Sequence, residues 1–282
     1  LKNTPLIKAN IIDKEETIEI KKIINNITQG IENYEKTNKL KIGIVGEVKS
    51  GKSTLINALI KKDVSPVGIT ETTGSIIKLN NENETSYIEK YNGEIYKSGY
   101  KEIEKEIKGF GNEFSNWEDI KTINLDFENK FLEDFELIDT PGLQTINQKA
   151  EEVTKNSFDS LDLIIWVFNY NNFDQLDIEE KLKEFTKKYP KPVLAVINKA
   201  EQVDNRKELI EDFNDRYLFY DNIKDVFPMS ALDAVKGIEN NNELKIEESG
   251  ISQLKNSLEN IRNKGAKKVK YESNKEMINN LL

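Results

Sequence analysis

The chain contains no cysteine and no histidine. Without cysteine there are no disulfides and no thiolate metal sites, which fits a reducing cytoplasm and makes that the expected location. Without histidine, imidazole general bases, serine–histidine hydrolysis and histidine-rich metal centres are excluded. Arginine is confined to Arg206, Arg216 and Arg262. There is no excess of positive charge: 41 Lys and Arg stand against 50 Asp and Glu, for a net charge of −9. A general nucleic-acid or anionic-membrane surface is therefore not expected. Long apolar runs are missing too. The longest, Leu163 to Phe168, is far too short to span a bilayer, and no signal peptide is read ahead of the first strand. The first residue is Leu1 rather than Met, so the sequence leaves open whether it is a piece of a longer chain.

What is present is enough for one large α/β domain with a substantial core and some helical addition, within 282 residues. Its organising stretch is Gly46-Glu47-Val48-Lys49-Ser50-Gly51-Lys52-Ser53, which matches G-x-x-x-x-G-K-[ST]. Leu40 to Val45 reads as a buried strand before it, and Thr54 to Ile60 has helical spacing after it. Two glycines let backbone N–H groups turn inward around a polyphosphate, and the following helix points its positive dipole end at the same charge. The expected nucleotide contacts are Gly46, Glu47, Lys49, Ser50, Gly51, Lys52, Ser53 and Thr54. Lys52 would reach the β- and γ-phosphates, and the Ser53 hydroxyl would ligate Mg²⁺.

Three further stretches complete a nucleotide site. Asp139-Thr140-Pro141-Gly142 follows the strand-like Phe135 to Ile138. There Asp139 would hold Mg²⁺ through its water shell, and the Gly142 N–H would face the γ-phosphate. The Thr-rich loop Asp63 to Thr73 offers a hydroxyl to close over metal and phosphate, with Thr73 favoured and Thr72 behind it. Asn198-Lys199-Ala200-Glu201 has the chemistry of a guanine reader: a carboxylate accepts from both N1–H and the 2-amino group, where adenine presents a bare ring nitrogen. Lys199 would lie along the base, Asn198 would brace the loop, and the Ala231 N–H, next to Ser230, would meet the base oxygen. Lys49 is expected either to lean over the phosphates as a catalytic cation or to be a solvated lysine that merely attracts them.

The rest of the pattern alternates strand and helix. Strands are read at 75–79, 162–169, 192–197 and 225–229, and helices at 148–160, 176–189 and 206–220. This predicts an α/β fold with a mainly parallel central sheet and helices on both faces. Trp166 is expected in the core. Residues 80–130 read as an edge insertion of hairpins with a short helix near 100–107, and residues 239–249 as a polar loop. An apolar stripe through Ile20, Ile23, Ile24, Ile27, Ile31 and Tyr34 predicts an N-terminal helix over 13–35. A second stripe runs through Ile251, Leu254, Leu258 and Ile261. It either packs on its own domain or pairs with the first stripe as the start of a bundle. The expected division is a helical segment in 1–38, a nucleotide-binding α/β domain over 39–240 and a second helical segment in 241–282.

With these residues together, the chain resembles a P-loop GTPase of the translation-factor class and, within it, the bacterial dynamin-like proteins. The phosphate loop with Thr54 and Asn57-Ala58-Leu59, the Pro66 to Thr73 loop, Asp139 to Leu143 and the flanking helices carry the resemblance. It implies a GTP-hydrolysing head using GTP, GDP and Mg²⁺, a nucleotide-dependent head-to-head dimer, and membrane remodelling through parts this chain does not contain. Any membrane contact would be peripheral, at the inner face, in a full-length protein. A small nucleotide-switch GTPase of the ribosome- or septum-associated kind is the alternative. Glu201 departs from the family's usual Asp. Arginine is absent from the expected phosphate-facing segments, and Leu143 stands where a water-orienting Gln would follow Gly142, leaving Gln144 as the next candidate. Both absences fit a site completed by a second copy.

Overall fold

β1 (Leu40–Gly46) lies mid-sheet with a parallel neighbour on each side, β6 (Phe135–Asp139) and β7 (Leu163–Asn169). Its residues are buried except for half-buried Lys41, as a strand covered on both faces requires. The computed structural model describes residues 39–64, 75–109, 119–141, 157–203, 205–217 and 220–263, with Lys21 and Val269 as isolated positions. The expected N-terminal helix, most of the Thr-rich loop, the segment from Gly142 to residue 156 and the end of the second stripe lie outside the described residues.

Among the described residues the sheet has nine strands. Beyond β7 come β8 (Val193–Asn198) and β9 (Ile223–Pro228), both parallel. On the other side of β6 comes β2 (Ile76–Asn80), antiparallel to β6, and then β5 (Ile120–Asp126), parallel to β2. β3 (Ser86–Lys90) and β4 (Ile95–Ser98) form an antiparallel hairpin that ends the sheet. The mainly parallel sheet read from the sequence is therefore the observed architecture, with antiparallel pairing confined to one side.

Helices cover both faces and divide the core in two. One layer contains α1 (Lys52–Ile60), α2 (Tyr100–Ile107), α5 (Ala231–Glu239) and α7 (Ile251–Asn263), packed around Ile42, Ile44, Leu79 and Leu137. The other contains α3 (Leu176–Lys188) and α4 (Arg206–Tyr217), around Trp166, Phe168, Phe185 and Phe213. Trp166 is fully buried and meets Phe185 edge to face at 5.1 Å. Gly43 opens a space that the Leu161 side chain occupies, since a Cβ there would lie 2.3 Å from Leu161 Cδ1.

One expectation changes. Residues 239–249 are not a loop: α6 (Glu243–Ser249) occupies most of them. Asn242 caps it by accepting from the Lys245 N–H, Gly250 ends it in the left-handed region at φ 87°, and Gly237 lets Ile246 approach closely. The second apolar stripe takes the first of its two expected readings. Ile251, Leu254 and Leu258 are buried in the same core as Leu55 of α1, so α7 packs on its own domain through residue 263.

Candidate functional site

The phosphate loop joins the end of β1 to the start of α1, and its conformation is set by close backbone approaches. A Cβ on Gly46 would lie 2.4 Å from the Val167 carbonyl of β7, and Gly51 takes φ 97°. Lys49 also sits in the left-handed region, φ 63°, at the exposed tip. α1 begins with no side-chain cap and no acidic residue in its first turn, so its positive end remains open to an anion. Lys52 is 2% exposed and already folded over the loop, donating to the Gly46 carbonyl at 3.2 Å and the Glu47 carbonyl at 2.7 Å.

One residue on, the Ser53 hydroxyl lies 3.3 Å from Asp139 Oδ2, both residues being buried. β1 and β6 are paired with Ile44 opposite Asp139, which places this carboxylate at the same end of the sheet as the loop. Thr140 holds the junction by donating its hydroxyl to the Ile44 carbonyl at 2.8 Å. A hydroxyl and a single carboxylate make a hard oxygen pair suited to Mg²⁺, which keeps most of its waters and takes the rest of its shell from phosphate. Among the described residues no group of three or more acidic side chains could hold a metal ion alone.

The Asn198 to Glu201 motif leaves the end of β8 and docks on the phosphate loop. Asn198 donates through Nδ2 to the Ser50 carbonyl at 2.8 Å and accepts the Ala231 N–H at 2.9 Å. Lys199, itself at φ 65°, donates to the Lys49 carbonyl at 2.7 Å. Ser230 caps α5 by accepting the Asp233 N–H at 3.2 Å, while its own N–H goes to the Ser249 carbonyl at 2.8 Å. Glu201 is exposed at the turn beyond Ala200. The Ala231 N–H, expected to meet a base oxygen, is here donated to Asn198 Oδ1.

The Glu47 side chain is engaged on the outer side of the loop: Glu47 Oε1 accepts Lys181 Nζ at 2.7 Å and Oε2 accepts Asn172 Nδ2 at 3.2 Å. The hydrogen bond to Glu47 is the largest influence raising the Lys181 pKa. Neither partner was read from the sequence, because Lys181 sits in a helix with no motif and Asn172 in a turn. Thr54 is half-buried in the first turn of α1, and Ser50 is buried beneath the loop. Thr73 and Gly142 lie outside the described residues, as do Thr72, Leu143 and Gln144.

The sequence profile of the Dynamin family matches residues 42–200. A protein of Caldicellulosiruptor sp. (strain Rt8B.4), described as an uncharacterized protein in the xynA 3′ region, is 28% identical over 93% of this chain and 65% of its own length. A probable transmembrane GTPase, FZO-like and chloroplastic, from Arabidopsis thaliana is 25% identical over 68% of this chain and 19% of its own. Among solved structures, an oligomerised bacterial dynamin pair, described as sensing and tethering membranes over long range, superposes with TM-score 0.61 at 21% identity. That match covers 99% of this chain and 46% of the other. This chain thus spans 65% or less of the length of each of these proteins.

Proposed function

This chain belongs to the dynamin family, whose GTPase domain it carries, and from that premise we propose that it is the GTP-hydrolysing head of a mechanochemical protein. The force it generates would act on membranes through segments other than these 282 residues. The fold shared with the bacterial dynamin pair supports this reading. Among the described residues no helix is long and apolar enough to cross a membrane.

One observation carries the nucleotide assignment: Asn198 ties the base-reading loop to the phosphate loop through Ser50 and to the start of α5 through Ala231. A purine ring and a triphosphate can then be gripped by one rigid unit. Glu201 would accept the two guanine hydrogens, with Lys199 alongside the ring. Lys52, oriented by the Gly46 and Glu47 carbonyls, would reach the β- and γ-phosphate oxygens. Ser53 and Asp139 would hold Mg²⁺, which when bound neutralises charge on the β- and γ-phosphates. Thr73 would close over the γ-phosphate, and the Gly142 N–H would donate to it. Lys49, at the exposed tip, would meet charge developing on the bridging oxygen. A second copy, docked on the nucleotide face, would exclude water and order the Thr-rich loop.

The test is a competition titration with GTP, GDP and ATP, followed by phosphate release with and without Mg²⁺. GTP and GDP should displace a labelled guanine nucleotide, ATP should not, and release should require Mg²⁺. ATP competing as well as GTP would sink the assignment.

A further inference from the structure

Glu47 brings an unfavourable charge to the phosphate loop, since a carboxylate beside a polyphosphate repels its ligand. Its side chain is held on the side of the loop formed by α3 and the turn after β7. Lys181 Nζ lies 2.7 Å from Oε1 and Asn172 Nδ2 lies 3.2 Å from Oε2. The side chains of the ion pair are only 30% and 14% exposed, so it is better sheltered than an ordinary surface pair. Lys181 is itself braced by Asp177 at 3.0 Å, one helical turn earlier. The backbone of the same glutamate does a second job, because its carbonyl accepts the Lys52 ammonium at 2.7 Å and the Ser50 N–H at 3.3 Å. Whatever fixes the Glu47 side chain therefore also fixes an anchor of the phosphate-binding lysine.

We propose that Lys181 is a positioning residue for the nucleotide site: it masks the Glu47 carboxylate from the phosphates and fixes the carbonyl that orients Lys52. It touches no nucleotide and acts through Glu47. The inference rests on the guanine-nucleotide reading of the site. It carries a signature that packing alone would not produce. If Lys181 masks a negative charge, its loss harms the more highly charged ligand more, and added salt softens the harm. Removing the carboxylate as well should then repair the defect.

The experiment measures the affinities of fluorescent GTP and GDP analogues for the full chain and for Lys181→Met, Glu47→Gln and the double variant, at low and high salt. Melting temperatures establish that each is folded. Lys181→Met should weaken GTP by about tenfold and GDP by less, with the gap narrowing at high salt. The double variant should regain most of the lost affinity. Wild-type affinity in Lys181→Met, an equal and salt-independent loss for both nucleotides, or a double variant as weak as Lys181→Met would each overturn the proposal. If Lys181→Met does not fold, Lys181→Gln supplies the same comparison. Failure of the nucleotide reading is separately visible, as a wild-type protein that binds neither analogue.

Discussion

The carboxamide of Asn198 occupies the space that any side chain on Gly51 would need: a Cβ at Gly51 would lie 2.1 Å from Asn198 Nδ2. The second glycine of the phosphate loop is thus required by the base-reading loop as well as by its own φ of 97°. Asn198 cannot retreat without giving up the Ser50 carbonyl or the Ala231 N–H. Gly51→Ala should cost at least about 2 kcal/mol of stability, from backbone strain and displacement of that amide. GTP affinity should fall with it. Thermal melting and a nucleotide titration check both, and an Ala variant that melts and binds as wild type would show that Asn198 moves freely.

In the proposed site, guanine selectivity would turn on Glu201. Its carboxylate stands on a side chain one methylene longer than the family's usual Asp, so it must sit about an ångström further back to reach the same two hydrogens. Glu201→Ala should weaken GTP binding by roughly 2 kcal/mol or more, as loss of a charge-assisted pair does, and should narrow the preference over ATP. Competition titrations read both effects. Unchanged GTP affinity in the variant would remove Glu201 from the site.

The phosphate loop, Asp139 and the Asn198 motif were legible because each is a short local pattern flanked by a buried strand. β5 was not read, although Ile120, Thr122 and Asn124 alternate with Lys121, Ile123 and Leu125 along it; its polar members masked a strand that is buried along nearly its whole length. α6 was hidden for a similar reason, since an Asn/Glu-rich run looks like a loop until its cap at Asn242 and the close approach of Ile246 to Gly237 are seen. The Glu47–Lys181 pair was beyond reach, because its members are 134 positions apart and no local pattern links them.

Lys255 gives a dependence on pH. Its ammonium donates to the Ala58 carbonyl near the end of α1 at 3.2 Å, while burial, with a smaller push from Lys61, lowers its pKa to about 8. In the unfolded chain the same group titrates near 10.5. Below pH 8 it is charged in both states, and the full cost of burying the charge is present. Between pH 8 and 10.5 the unfolded state binds more protons than the folded one, so the Lys255 contribution makes the protein more stable as pH rises. Across pH 7 to 9.5 the gain should be on the order of 1–2 kcal/mol, below the range where tyrosines ionise. Lys255→Met should remove that rise. Parallel melting profiles for wild type and variant would refute it.

Lys49 should separate catalysis from binding. It stands at the exposed tip of the phosphate loop in a left-handed conformation, and its carbonyl is tied by Lys199 at 2.7 Å, so the backbone there is held. If its ammonium stabilises charge on the bridging oxygen, Lys49→Ala should lower turnover more than affinity, by about tenfold or more in kcat. Hydrolysis should then be the same in sodium and potassium salts. Equal losses in kcat and affinity would show a lysine that only attracts phosphate.

Hydrolysis should depend on a second copy docked across the nucleotide face. The three arginines all lie away from the phosphate loop: Arg206 donates to the Glu248 carbonyl, Arg216 pairs with Glu179 and Arg262 with Asp134. None supplies a finger within one subunit, and a missing finger costs about 10³- to 10⁵-fold in rate. The nucleotide end of the sheet also carries apolar surface. Leu176 opens α3, seven residues beyond the end of β7, and is 72% exposed; Leu232, in the first turn of α5 beside Ala231, is 51% exposed. Covering them with another copy would remove apolar area from water and close the site against solvent. Rate per subunit should therefore rise with protein concentration before reaching a plateau. Light scattering should report a dimer with a transition-state mimic of GTP hydrolysis and a monomer with GDP. Leu176→Ser combined with Leu232→Ser should shift the rise to higher concentration while leaving GDP affinity near wild type. A specific rate that stays flat over a hundredfold range, with a monomer in the mimic, would mean that one subunit completes the chemistry alone, and Gln144 would be the residue to substitute next.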